Sequence, residues 1–172
     1  MYYGAIKIAD CANGIGARTS FFVSGCTHHC CGCFQPQTWA FDYGKEYTKD
    51  VESFIIDSIR PKYIDGLTIL GGEPMEPQNQ KEIISLIRNV KSLGKSVWVY
   101  SGYTWEELTN RDNKRCRCEY TDEILSLIDV LVDGEFHQNE KDITLKFRGS
   151  SNQRVIDVQK TLKTGEIVNV EF

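Results

Sequence analysis

A chain of 172 residues, 41% hydrophobic and 26% charged, is long enough for one domain with a real hydrophobic core and has an ordinary globular composition. A formal charge of -4, with Lys114 to Arg117 as its longest basic cluster, makes no electrostatic case for nucleic acid or an anionic membrane. The opening MYYGAIKIADC lacks a signal-peptide pattern and no window approaches the ~20 apolar residues of a membrane span, so a cytoplasmic location is expected, where seven cysteines point to metal or thiol chemistry before disulfides.

In chain order, Thr19 to Val23 (TSFFV) reads as a strand that delivers the chain into GCTHHCCGCF, four cysteines and two histidines within ten residues. Thr48 to Arg60 is helical, with Val51, Phe54, Ile55 and Ile59 on one face and Pro61 ending it. Leu67 to Leu70 is a buried-type strand running into Gly71-Gly72. A helix follows from Pro77, carrying Ile83, Ile84, Leu86, Ile87, Val90 and Leu93 before Gly94 stops it. Val97 to Tyr100 is the next strand, and Thr104-Trp-Glu-Glu107 has the spacing of a capping box. A helical turn around Ile124 to Ile128 leads to a fourth strand, Asp129 to Val132. Ile143 to Phe147 and Ile167 to Val170 read as strands that extend or flank the sheet.

Strands alternating with helices in this way imply βαβ units and a parallel sheet. Four to five such units are too few for a closed eight-stranded barrel, so the expected architecture is an open, partial (β/α) barrel forming a single domain over 1–172. In parallel α/β folds chemistry gathers at the carboxyl ends of the strands. Here those ends run into GCTHHCCGC, GGEP (Gly71 to Pro74), SGYT (Ser101 to Thr104) and DGEF (Asp133 to Phe136), which are expected to face one cavity.

Cys26-x3-Cys30-x2-Cys33 places three thiolates on a tight loop after a strand. Adjacent side chains diverge, so Cys30 and Cys31 are not expected to ligate one centre together. A structural zinc site wants four ligands, usually from two separated pairs. Cys30 and Cys33 supply one such pair and Cys116-Arg-Cys118 another, although its one-residue gap is tight. Iron–sulfur clusters are held by thiolates at short spacings. Three ligands on a four-iron cluster leave one iron open, and an open position is what separates a reactive centre from a structural one.

The Cys-x3-Cys-x2-Cys loop after the first strand, with GGE after the second, resembles the radical S-adenosylmethionine enzymes. FVSGC, LGGEP, VWVYSGYTWEEL, DVLVDGEF and RGSSNQRVID, in that order and over nearly the whole chain, resemble the anaerobic ribonucleoside-triphosphate reductase-activating proteins, a family of glycyl-radical enzyme activases. Gly32 stands where the wider superfamily has an aromatic before the third cysteine, with Phe34 following; that pattern suits this branch.

The resemblance implies a [4Fe-4S] cluster on Cys26, Cys30 and Cys33, with S-adenosylmethionine chelating the open iron. Gly71 and Gly72 would let the backbone approach the methionine moiety, as residues without a side chain can. Glu73 would orient its ammonium group, Gly32 and Phe34 would contact the adenine end, and Ser101 and Asp133 would add polar contacts. The implied reaction is reductive cleavage to methionine and a 5′-deoxyadenosyl radical, which takes hydrogen from a glycine of the reductase large subunit. Reduced flavodoxin or a similar protein is the implied electron donor, and no side chain is nominated as acid or base. His28 and His29 read as spacers and His137 as a surface residue. The rivals are another small radical S-adenosylmethionine enzyme, a glycyl-radical activase of a different target or a deazaguanine synthase-like protein, and a non-catalytic zinc or electron-transfer module. The last leaves GGEP, SGYT and DGEF without a shared purpose.

Overall fold

The computed structural model describes residues 1–172. Its centre is a seven-stranded sheet of β1 (Tyr2–Asp10), β2 (Arg18–Val23), β3 (Lys45–Glu46), β4 (Gly66–Gly71), β5 (Ser96–Tyr100), β6 (Val130–Asp133) and β7 (Arg154–Asp157), in the order β3-β1-β2-β4-β5-β6-β7. Strands β2, β4, β5 and β6 are parallel neighbours, as the alternating pattern predicts. The other three pair antiparallel: β1 and β3 on one side, β7 on the other. Edge strands β3 and β7 do not meet, so the sheet is open.

Helices α1 (Lys49–Ile59), α2 (Pro77–Ser92), α3 (Trp105–Thr109) and α4 (Thr121–Leu127) lie in the crossovers between the parallel strands, and α5 (Val158–Thr164) follows β7. Local chemistry sets their ends. Thr48 caps α1 by accepting from the Val51 amide, Pro77 opens α2, and Gly94 turns the chain at φ +70° just after it. Thr104 and Glu107 form the capping box of α3.

Alternation along the strands separates two faces. Phe21 and Val23, Leu67 and Ile69, Val97 and Val99, and Leu131 point toward the helices, where they meet Ile55, Ile59, Ile83, Leu86, Ile87 and Val90 in the main core. Each such side chain, fully buried, contributes about 1.5–3 kcal/mol. Phe22, Leu70, Tyr100 and Val132 point to the opposite face and line a cavity. Below them that face is closed by Trp98, Val130 and Val155 and by the buried Arg18. The Arg18 guanidinium donates to Thr68 Oγ1 at 2.7 Å and to Ser96 Oγ at 2.9 Å, and burial lowers its pKa to about 10.

Three expectations change. Phe54, placed on the apolar face of α1, is 52% exposed, while Ile55 and Ile59 carry that face inward. Ile143 to Phe147 forms turns, with Phe147 at φ +58° and packed edge-on against Trp98; it pairs with no strand. Ile167 to Val170 reaches the sheet only through the Ile156–Asn169 bridge and two backbone bonds alongside it. The strands that complete the sheet are β1, β3 and β7, whose short or charge-interrupted patterns carry little periodic signal.

Candidate active site

A cavity of about 570 Å³ opens at the carboxyl ends of β2, β4, β5 and β6, within the usual size of a small-molecule site. Cys26, Cys30 and Cys33 line it together with Gly71, Gly72, Glu73, Ser101, Gly102, Gly134 and Phe136. All four strand-end motifs therefore contribute to one wall. Cys31 is exposed and does not line the cavity.

The cysteine loop is moored at its entry by backbone and by the start of α2. Gly25 N–H donates to Thr38 C=O at 2.8 Å, Cys26 N–H to Trp39 C=O at 3.1 Å, and Glu73 N–H to Gly25 C=O at 2.8 Å. The buried Asn79 amide donates to the carbonyls of Ser24 at 3.0 Å and Glu73 at 2.9 Å. Glu76 accepts from Thr27 N–H at 2.9 Å and from its hydroxyl at 2.5 Å. Further along, His29 sits at φ +52° and stacks on Trp39. Gly32 sits at φ +73°, the left-handed region that favours glycine, in the turn before Cys33. A Cβ on Gly72 would lie 2.7 Å from the Gly25 carbonyl oxygen, a backbone atom that could give way only if the loop itself moved.

Burial pushes the Cys26 thiol up to about 12 and raises Cys30 as well. Binding a metal as thiolate must therefore release protons. The Gln35 amide donates to Cys33 Sγ at 3.4 Å, the kind of contact that tunes a thiolate ligand.

Glu73 is fully buried. Its Oε1 accepts from Met75 N–H at 2.8 Å and Ser101 Oγ–H at 2.9 Å, and its Oε2 from Gly102 N–H at 2.6 Å. His28 Nε2 lies 3.1 Å from the same Oε2, although not well aligned for a hydrogen bond, and His28 Nδ1 is 2.6 Å from Glu135 Oε1. Burial disfavours the charged imidazole, but the two carboxylates outweigh it and raise the His28 pKa. Phe34 is 64% exposed at the cavity mouth, its ring 5.0 Å from that of Phe136 and beneath the Lys141 ammonium.

Asp133 does not reach the cavity. Its buried carboxylate accepts from Arg154 at 3.0 and 2.5 Å and from Trp105 N–H at 2.7 Å, so it joins β6, β7 and α3. His137 lies on the surface against Glu140, as expected. Pattern reading passes over His28 as a spacer; the signal for it is the acidic residue in both GGEP and DGEF, which becomes informative only once those ends are known to converge.

The donor set fits a cluster. Three soft thiols line one cavity, and thiolate is the ligand type that iron–sulfur clusters take. The four-cysteine zinc arrangement does not form, because Cys116 and Cys118 lie outside this cavity: Cys116 is in the main core and Cys118 Sγ is 3.3 Å from Gln80 Oε1. No helix is long and apolar enough to cross a membrane.

Comparison with known proteins agrees with this geometry. Residues 12–156 match the model of the 4Fe-4S single cluster domain family. An anaerobic ribonucleoside-triphosphate reductase-activating protein of Escherichia coli is 38% identical over 159 residues, covering 90% of this chain and 97% of that protein. The protein of that name from Vibrio cholerae is 39% identical over 157 residues, covering 89% and 96%. The one from Enterobacteria phage T4 is 35% identical over 157 residues, covering 90% and 93%. With its three thiols and Glu73 on one cavity and this similarity along nine-tenths of its length, the chain belongs to the anaerobic ribonucleoside-triphosphate reductase-activating proteins.

Proposed function

We propose that this chain is the radical S-adenosylmethionine enzyme that activates anaerobic ribonucleoside-triphosphate reductase, with Cys26, Cys30 and Cys33 holding a [4Fe-4S] cluster. The observation that carries this reading is that those three thiols share one cavity with the GGEP glycines and Glu73. Bound together, the cluster and S-adenosylmethionine supply the one-electron cleavage that yields methionine and a 5′-deoxyadenosyl radical, which takes hydrogen from a glycine of the reductase large subunit.

The chain's own residues bind, orient and shield. Gly71 and Gly72 keep the β4 end free of side chains, so a ligand's methionine end can lie against backbone. Glu73, held on both oxygens, presents a fixed negative charge to an ammonium group, and Ser101 fixes the Glu73 rotamer. Phe34, with Gly32 shaping the turn before it, supplies an apolar face for adenine. Phe22, Leu70 and Val132 form an apolar floor that excludes water from a reactive radical. No side chain serves as acid or base. In this reading the open sheet is the partial (β/α) barrel of the radical S-adenosylmethionine type, residues 1–172 form one domain, and the chain works in the cytoplasm with reduced flavodoxin or a similar donor.

Anaerobic reconstitution with iron and sulfide, followed by reduction, tests the reading. The expected result is cleavage of S-adenosylmethionine to 5′-deoxyadenosine, and a glycine-centred doublet in the electron paramagnetic resonance spectrum of the large subunit. Stoichiometric zinc without iron uptake would refute it.

A further inference from the structure

His28 is where the four strand-end motifs meet. It belongs to the cysteine loop, yet its imidazole is inside the protein, with only 3% of the side chain exposed. One ring nitrogen faces Glu73 of GGEP at 3.1 Å and the other faces Glu135 of DGEF at 2.6 Å. The ring packs 4.3 Å from that of Tyr103 in SGYT. Gly102 of the same motif leaves the space the imidazole fills, since a Cβ there would lie 2.7 Å from ring atoms.

The other partners of the Glu73 carboxylate, Met75, Ser101 and Gly102, all follow β4 or β5. His28 is the one contact to that carboxylate that comes from the cysteine loop. Two backbone amides and Ser101 hold that carboxylate from the β4 and β5 ends, and His28 Nε2 approaches Oε2 from the cysteine loop at 3.1 Å, so a displacement of the loop reaches Glu73 through this contact.

We infer that His28 is a positioning residue that couples the cysteine loop to Glu73, so that the carboxylate is aimed correctly at S-adenosylmethionine when the loop carries its cluster. This rests on the reading of Glu73 as a ligand contact. Glu135, 44% exposed, anchors the other side of the ring and fixes its orientation. Behind a metal ligand, losing such an orienting partner typically costs about 10–100-fold in affinity or activity.

The experiment compares His28→Gln, His28→Asn and His28→Ala in the full chain with its cluster reconstituted. Glutamine reaches about as far as Nε2 and retains the Glu73 contact; asparagine reaches about as far as Nδ1 and retains only the one to Glu135. Binding is read from the change in the electron paramagnetic resonance signal of the reduced cluster as S-adenosylmethionine is titrated. The expected result is parental iron content in all three, with half-saturation raised on the order of tenfold or more in the Asn and Ala variants and near parental in the Gln variant. The rate at saturating S-adenosylmethionine should change less than the half-saturation. Parental half-saturation in His28→Asn overturns the inference, as does loss of iron from all three variants, which would make His28 part of loop folding alone. Glu73→Gln separates the two readings. If it leaves half-saturation unchanged, Glu73 is not a ligand contact and the inference falls with it; if it raises half-saturation while the His28 variants do not, only the role of His28 is wrong.

Discussion

Two stretches of this chain carry closely spaced cysteines, and their surroundings differ in every respect that bears on ligation. Cys26, Cys30 and Cys33 line a cavity, and the loop holding them is moored through backbone and through Glu76, Asn79 and His28. Between Cys116 and Cys118 the chain turns inward behind the sheet. Cys116 is fully buried and its thiol donates to the Glu107 carbonyl, while Gln80 donates to the Cys116 carbonyl at 2.6 Å and accepts from the Thr121 hydroxyl at 2.7 Å. Arg117 donates to the Leu108 carbonyl and pairs with Asp122 at 2.7 Å. The segment leaves Lys114 and Arg115 exposed and buries Cys116 alone, which makes that residue a clasp between α2, α3 and α4. Spacing alone does not distinguish a ligand loop from a clasp; what distinguishes them is whether the sulfur's neighbours leave room for a metal.

The largest test of this contrast is Cys30→Ala, which should abolish both iron retention and S-adenosylmethionine cleavage, whereas Cys116→Ser with Cys118→Ser should keep both; iron analysis after anaerobic reconstitution reads the difference. Next comes Gly72→Ala. The added methyl meets the Gly25 carbonyl, so the cysteine loop must shift, at about 1–3 kcal/mol of stability in urea unfolding and with much reduced activity. Cys116→Ala removes a sulfur from the core and should cost about 1 kcal/mol with iron content unchanged. Parental stability in that variant would argue against the clasp.

Two smaller effects sharpen the contrast within the cysteine loop. Cys31→Ala should retain iron and activity, and in the cluster-free protein mass spectrometry should find Cys11 and Cys31 alkylated first and Cys26 and Cys116 late. The pH dependence follows from the raised Cys26 thiol. The cluster-free fold holds that proton more tightly than the unfolded chain does. Its stabilising contribution is therefore complete below the ordinary thiol value of 9.0 and is lost as pH rises toward about 12. Cluster assembly runs the other way: it releases the thiol protons, so it should weaken as pH falls, as iron uptake across a pH series would show.

Much of the architecture was legible in the chain itself. The pattern of TSFFV, LTIL, VWVY and DVLV with intervening helices locates β2, β4, β5 and β6, because buried parallel strands are written as short apolar runs and amphipathic helices as 3.6-residue periods. The cap at Thr104 was equally clear, since a cap is a local event. Strand β1 was not, because its residues are mostly exposed or half-buried, and β7 hides within RGSSNQRVID behind polar residues.

The sequence by itself determined the kinds of donor available, their spacing, and which strand ends they follow, since these are properties of the covalent chain. Only the tertiary structure decided which donors meet. It brought Cys26, Cys30, Cys33 and Glu73 to one cavity, turned Asp133 away to Arg154, drew Cys116 into the core and placed His28 between two carboxylates. The physical reason is that those encounters are set by how β2, β4, β5 and β6 register against one another and by which face each side chain takes, and such long-range packing leaves no periodic trace along the chain.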